Sequence, residues 1–148
     1  MLTQDRKYEY YQGEIFDGYA MAGAKAADNT VALNVGAEMN NALRGKPCRP
    51  FVADMMLRVA PDGAGFYRDV MVTCSDPDRA RETFKTDAVL AVEVLSDSTV
   101  GYDLGKKFES YRGISSMQEI VFIDPTRKSV VIPGAMARSG CCLPSRLR

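Results

Sequence analysis

Ala88-Val89-Leu90-Ala91-Val92-Glu93-Val94-Leu95 is apolar at every position but one. A run of this length without alternation is the pattern of a β-strand covered on both faces, and therefore of a sheet with packing partners above and below it. It also places Glu93 where a carboxylate loses its hydration unless a cation or a set of hydrogen-bond donors replaces the water. Two more charges sit in similarly awkward places. Asp69 heads the strand Asp69-Val70-Met71-Val72-Thr73, and Lys107 falls on the apolar side of a helix expected from about Asp103 to Arg112. On that helix Leu104, Lys107, Phe108 and Tyr111 share one face at i, i+3, i+4 and i+7, which turns Lys107 inward and leaves Lys106 in water.

Working outward, Tyr8 to Phe16 reads as two short strands around a Gln12-Gly13 turn. Asp28 or Asn29 is a good helix N-cap, and Val31, Val35, Met39, Ala42 and Leu43 recur at helical spacing until Gly45. Phe51 to Val59 and Phe66 to Cys74 read as strands, Ser75 to Asp87 as a polar loop or short helix, and Glu119 to Asp124 as a strand followed by a turn at Pro125-Thr126-Arg127-Lys128. Several strands with two helices among them predict an α/β or α+β single-sheet domain. At 148 residues there is room for one such domain, expected over residues 1–132. Residues 133–148 lack periodicity and apolar content and are expected to form a disordered tail.

Composition narrows the chemistry. There is no histidine, so Ser-His and Cys-His dyads and histidine-ligated metals are excluded, leaving carboxylate, lysine and hard-cation chemistry. The four cysteines, Cys48, Cys74, Cys141 and Cys142, fit no zinc spacing and are expected as free thiols. Lys plus Arg and Asp plus Glu both total 19, so any affinity for phosphates must come from local clusters such as Arg44-Gly45-Lys46-Pro47-Cys48-Arg49 or the Lys106, Lys107, Arg112 group. The absence of a long apolar run and of a leader-like N-terminus points to a cytoplasmic protein without membrane contact.

Glu93 and Lys107 alone would make a structural ion pair, but Asp69 adds a second carboxylate at the end of an adjacent strand. Two carboxylates and a main-chain carbonyl, that of Val94, form a hard-oxygen set for Mg²⁺ or Mn²⁺, with a lysine above them to stabilise charge on a phosphodiester. A carboxylate-pair hydrolase acting on sugars is the weaker alternative, because it has no use for the inward lysine.

The residues Gly13-Glu14-Ile15, Ala53-Asp54-Met55, Phe66-Tyr67-Arg68-Asp69-Val70, Leu90 to Ser96 and Tyr102 to Arg112 closely resemble the Uma restriction-endonuclease family of the restriction-endonuclease-like, PD-(D/E)xK superfamily, from about Lys7 to Val131. The resemblance implies a restriction-endonuclease-like fold with a central mixed β-sheet flanked by helices, Asp69 and Glu93 as metal ligands, Lys107 as the catalytic lysine, Glu14 and Asp54 as supporting acids, and DNA as partner. It also implies further family segments before and after this stretch. The superfamily lysine lies two residues after the acid. That position here is Leu95, so the ammonium is supplied from the following helix, and Arg68 stands where proline usually precedes the first aspartate. Cleaving both strands of a duplex takes two sites, hence an expected homodimer. The competing expectation is an inactive descendant that keeps the fold for binding or assembly.

Overall fold

In the computed structural model of the chain, residues 8–17, 25–53, 55–59, 63–97 and 100–133 are described. The hairpin of β1 (Tyr8–Tyr11) and β2 (Glu14–Asp17) turns at Gln12 and Gly13, both at positive φ, as the sequence leads one to expect. Helix α1 (Ala26–Ala42) starts earlier than expected. Asp28 serves as the acid of its first turn, accepting from the Lys25 backbone N–H at 3.2 Å.

Each of the two long strands read from the sequence is broken in the middle. Phe51 to Val59 divides into β3 (Arg49–Val52) and β4 (Met56–Val59) around Ala53, whose φ is 46°. Phe66 to Cys74 divides into β5 (Ala64–Tyr67) and β6 (Val70–Thr73) at Arg68 and Asp69. The two breaks lie side by side, with the Ala53 N–H donating to the Asp69 carbonyl at 3.0 Å. The chain thus crosses twice between layers, and the single expected sheet is two mixed five-stranded sheets. One has the order β2-β1-β5-β4-β7, with β7 at Phe84–Lys85; the other has the order β10-β9-β8-β6-β3, with β8 at Ala88–Val94, β9 at Glu119–Asp124 and β10 at Ser129–Val131.

β8 is buried at all seven positions, as a strand covered on both faces must be. On one side Leu90 and Val92 pack with Val70, Val72, Met39 and Leu43, so α1 roofs the second sheet. Gly36 permits that approach, since a Cβ there would lie 2.4 Å from Val52 Cγ2. On the other side Ala91 and Leu95 join Leu57, Phe66, Tyr111 and Phe122 in a core shared between the two sheets. Removing Leu57 and Phe66 from water contributes about 2–3 kcal/mol each.

The cysteine expectation needs correction. Cys48 and Cys74 are not free thiols: they lie opposite one another in the β3–β6 register, Cα atoms 3.9 Å apart, and are joined as a disulfide. The polar stretch after β6 takes the short-helix form, one of the two expected for it. Helix α2 (Asp76–Ala80) is capped by Ser75 and holds Asp78 fully buried. Asp78 accepts from the Thr73 hydroxyl at 3.0 Å, the Thr86 N–H at 2.9 Å, the Asp87 N–H at 2.8 Å and the Arg81 guanidinium. Burial opposes its ionisation, but these donors outweigh burial and hold its pKa below the usual value. Asp78→Asn is expected to lower stability by about 1–2 kcal/mol near neutral pH. Because the folded-state pKa is depressed, that deficit should shrink as pH falls toward the wild-type folded pKa, which urea unfolding at two pH values would measure.

Candidate functional site: a carboxylate and cation cluster at the sheet crossing

The site forms where the chain passes from one sheet to the other. In the antiparallel β6–β8 register Val70 faces Val92, so the next pair is Asp69 and Glu93. Since Val70 and Val92 face α1, alternation turns Asp69 and Glu93 together toward the inter-sheet side. Asp69 Oδ2 accepts the Val94 N–H at 2.7 Å, which fixes the first carboxylate to the strand of the second. Burial raises the pKa of Asp69, while this hydrogen bond and Lys107 act in the opposite direction.

Glu93 is 2 % exposed and has three partners. The Tyr111 hydroxyl donates to its Oε1 at 2.5 Å, the Arg68 guanidinium lies 3.4 Å from the same oxygen, and Lys107 Nζ lies 3.3 Å from Oε2. Burial nonetheless prevails and pushes its carboxyl up to about 8, against the pull of Lys107 and Arg68.

Lys107 reaches this point by a route the helical periodicity does not show. The expected helix is α3 (Val100–Tyr102), a π-helical segment (Asp103–Lys107) and α4 (Phe108–Arg112) in continuous succession. Residues four apart lie on the same side of the segment. Asp103 and Lys107 therefore both point inward, 2.9 Å apart, while Leu104, expected on the buried face, is 45 % exposed. The ammonium is further approached by Glu9 Oε1 at 3.8 Å. Burial depresses the lysine pKa, but Glu93, Asp103 and Glu9 together outweigh it and leave the pKa raised, so Lys107 is held as a cation.

The expected trio of Asp69, Glu93 and Lys107 is thus brought together. Val94 follows Glu93 at the end of β8. Glu14 is not brought in: it is exposed at the start of β2. Asp54 and the tail beyond Pro133 lie outside the described residues. Three site residues were absent from the expected set. Glu9, buried on β1, accepts the Tyr67 N–H at 2.8 Å and so ties β1 to the strand end that leads into Asp69. Asp103 lies four residues before Lys107 and on the same side of the helical segment. Arg68 lies with its guanidinium 4.7 Å from the Tyr111 ring and 5.5 Å from the Phe66 ring, and among the described residues none of its nitrogens makes a hydrogen bond. Burial lowers its pKa, resisted by Glu93, Glu9, Asp69 and Asp103.

Four carboxylates, Glu9, Asp69, Glu93 and Asp103, therefore surround two cations, Arg68 and Lys107. Fully ionised, the cluster carries two uncompensated negative charges, the formal charge of one divalent cation. Burial is the main reason Glu93 holds a proton, and that proton also relieves part of the excess. The donors fit a hard cation, because a carboxylate oxygen already accepting one hydrogen bond keeps a further lone pair. Among the described residues no three acids converge closely enough to hold an ion by side chains alone.

Comparison with known proteins agrees with this fold. Residues 1–133 match the Uma2 family model, described as "Putative restriction endonuclease". The chain is similar to two proteins of Synechocystis sp., "Uncharacterized protein sll1609", 36% identical over 121 residues and 80% of this chain, and "Uncharacterized protein slr1290", 32% identical over 123 residues and 83% of this chain. It spans 66% and 63% of their respective lengths. Its fold is that of a crystal structure from Anabaena variabilis described as "a putative nuclease belonging to DUF820", with a TM-score of 0.68 at 13% identity over 93% of this chain and 77% of that one. No described helix is long and apolar enough to cross a membrane. With nine-tenths of its length inside the family model, the chain belongs to the Uma2 family.

Proposed function

We propose that the chain is a divalent-metal-dependent nuclease acting on DNA phosphodiester bonds, and that it works as a cytoplasmic homodimer. The observation that carries this reading is the excess of two negative charges in the cluster at the sheet crossing. Asp69, Glu93 and the Val94 carbonyl would hold Mg²⁺ or Mn²⁺, which when bound neutralises charge on the phosphodiester and acidifies water. Lys107, kept cationic by three carboxylates, stabilises negative charge developing on the phosphate and orients the attacking water rather than removing its proton. Asp103 and Glu9 hold the ammonium in place, Tyr111 and Arg68 hold Glu93, and the Val94 N–H holds Asp69. The Glu93 partners also support a second reading, an inactive module in which Arg68, Lys107 and Tyr111 satisfy the carboxylate without any ion. The sugar-hydrolase reading is poorly supported, since Glu93 is buried among cations instead of facing an open cleft.

Calorimetric titration with Mn²⁺ separates the first two readings. An ion binding at Glu93 must displace a proton held with a pKa of about 8. Affinity should therefore climb roughly fifteenfold between pH 6.5 and 8 and level off only above about pH 9, with proton release disappearing in Glu93→Gln. Cleavage of plasmid DNA in Mn²⁺ should follow the same rise. PH-independent binding, or uptake unchanged in Asp69→Asn, would refute the nuclease reading.

A further inference from the structure

The basic stretch Arg44-Gly45-Lys46-Pro47-Cys48-Arg49 has no part in the site at the sheet crossing, yet main-chain hydrogen bonds and a disulfide hold it in place. Helix α1 ends at the buried Leu43, whose carbonyl accepts the Lys46 N–H at 3.0 Å, and the chain reverses at Gly45 with φ of 78°. Arg49 Nη1 donates to the Lys46 carbonyl at 2.7 Å and to that of Cys48 at 3.1 Å, and Arg79 Nη1 from α2 donates to the Pro47 carbonyl at 3.3 Å. The Cys48–Cys74 disulfide anchors the loop to the end of β6. The side chains of Arg44, Lys46 and Arg49 stay exposed. Arg44 and Arg49 border a surface hollow of about 290 Å³ together with Asn40, and among the described residues no acid lines it.

On a chain with equal numbers of acidic and basic residues this is a segregation of charge, with Arg79 already paired to Asp76. A loop rigid before binding loses little entropy when it engages a ligand, and guanidinium forks suit phosphate oxygens. The β3–β6 register fixes its position: Arg49 lies opposite Thr73, four residues along β6 from Asp69, roughly 13 Å away at ~3.3 Å per residue.

We propose that Arg44, Lys46 and Arg49 form a contact surface for the phosphate backbone of a nucleic acid, separate from the acidic cluster. The choice of polyanion rests on the nuclease reading; the surface itself does not. Phosphates held there position the strand and carry no sequence preference.

The test is fluorescence anisotropy of a labelled DNA duplex with the full chain in EDTA, across about 50 to 200 mM salt. Arg44→Ala/Lys46→Ala is expected to weaken binding roughly tenfold and to reduce the slope of log affinity against log salt by about 2. Its thermal midpoint should stay at the wild-type value, since both side chains are exposed. Unchanged affinity and slope in this variant would overturn the proposal, as would a wild-type chain that does not bind the duplex, or that binds polyglutamate equally well. Mn²⁺-dependent cleavage, measured in parallel, keeps the two readings apart. Patch-dependent binding without cleavage supports the surface and sinks the nuclease, whereas cleavage with patch-independent binding does the reverse.

Discussion

Lys107→Met should reduce Mn²⁺-dependent cleavage of DNA by about 10²–10³ while leaving the protein folded. Methionine keeps most of the aliphatic stem that fills the space beside Tyr102 and removes only the ammonium, which stands 2.9 Å from Asp103, 3.3 Å from Glu93 and 3.8 Å from Glu9. A charge that acts on the phosphate in the transition state should be missed in kcat more than in KM. Lys107→Arg is the sharper control, because it retains the charge but replaces a compact ammonium by a planar fork that three surrounding carboxylates cannot accommodate in the same place. It should restore stability but little activity. Removing Lys106, exposed on the opposite side, should have no such effect. Steady-state kinetics on the three variants checks this, and equal losses from Lys106→Met and Lys107→Met would count against the assignment.

Arg68→Met is expected to cost about 3 kcal/mol of stability in the metal-free protein, measured by urea unfolding. The guanidinium is 3 % exposed and is, with Lys107, one of two cations compensating four carboxylates. Its loss raises the Glu93 pKa further. An acid whose folded-state pKa lies above its unfolded value binds its proton more tightly when folded, so stability is lost as pH rises from the unfolded value toward the folded one. The deficit of Arg68→Met relative to the wild type should therefore widen from pH 6 to pH 9. If the cluster is a cation site, Mn²⁺ should restore more stability to this variant than to the wild type, because one more negative charge awaits it. A deficit independent of pH and of Mn²⁺ would make Arg68 a packing residue only.

Much of this arrangement is legible in the sequence because burial of charge is rare and therefore informative. Glu93 stands out in a strand without polar neighbours, and Lys107 stands out on a helix with an apolar face. The π turn falsifies part of the argument that found the lysine. An α-helical period puts Leu104 inside and the structure leaves it exposed, since no local feature of Asp103-Leu104-Gly105-Lys106-Lys107 signals the wider turn, whereas the spacing of Asp103 four residues before Lys107 was a signal for the acid. Glu9 was hidden by its neighbours. In Tyr8-Glu9-Tyr10-Tyr11 the aromatic residues look like the buried set, yet Tyr8 and Tyr10 are 43 % and 38 % exposed and the acid is inside. Strict alternation offered the signal, pairing Glu9 with Tyr11 on one face, but four residues give it little weight. The division into two sheets depends on Ala53 at positive φ, a conformation that alanine does not advertise. The disulfide depends on a strand register that two isolated cysteines do not define.

The central claim is that Asp69 and Glu93 share a divalent ion beside a cationic Lys107, and a crystal soaked in Mn²⁺ and measured for anomalous scattering tests it most directly. The account predicts one strong peak within coordination distance of a carboxylate oxygen of each acid, absent from Asp69→Asn crystals. A map with no peak at the sheet crossing, with Glu93 still bound by Arg68, Lys107 and Tyr111, would contradict it and leave the cluster as an ion network that holds the two sheets together.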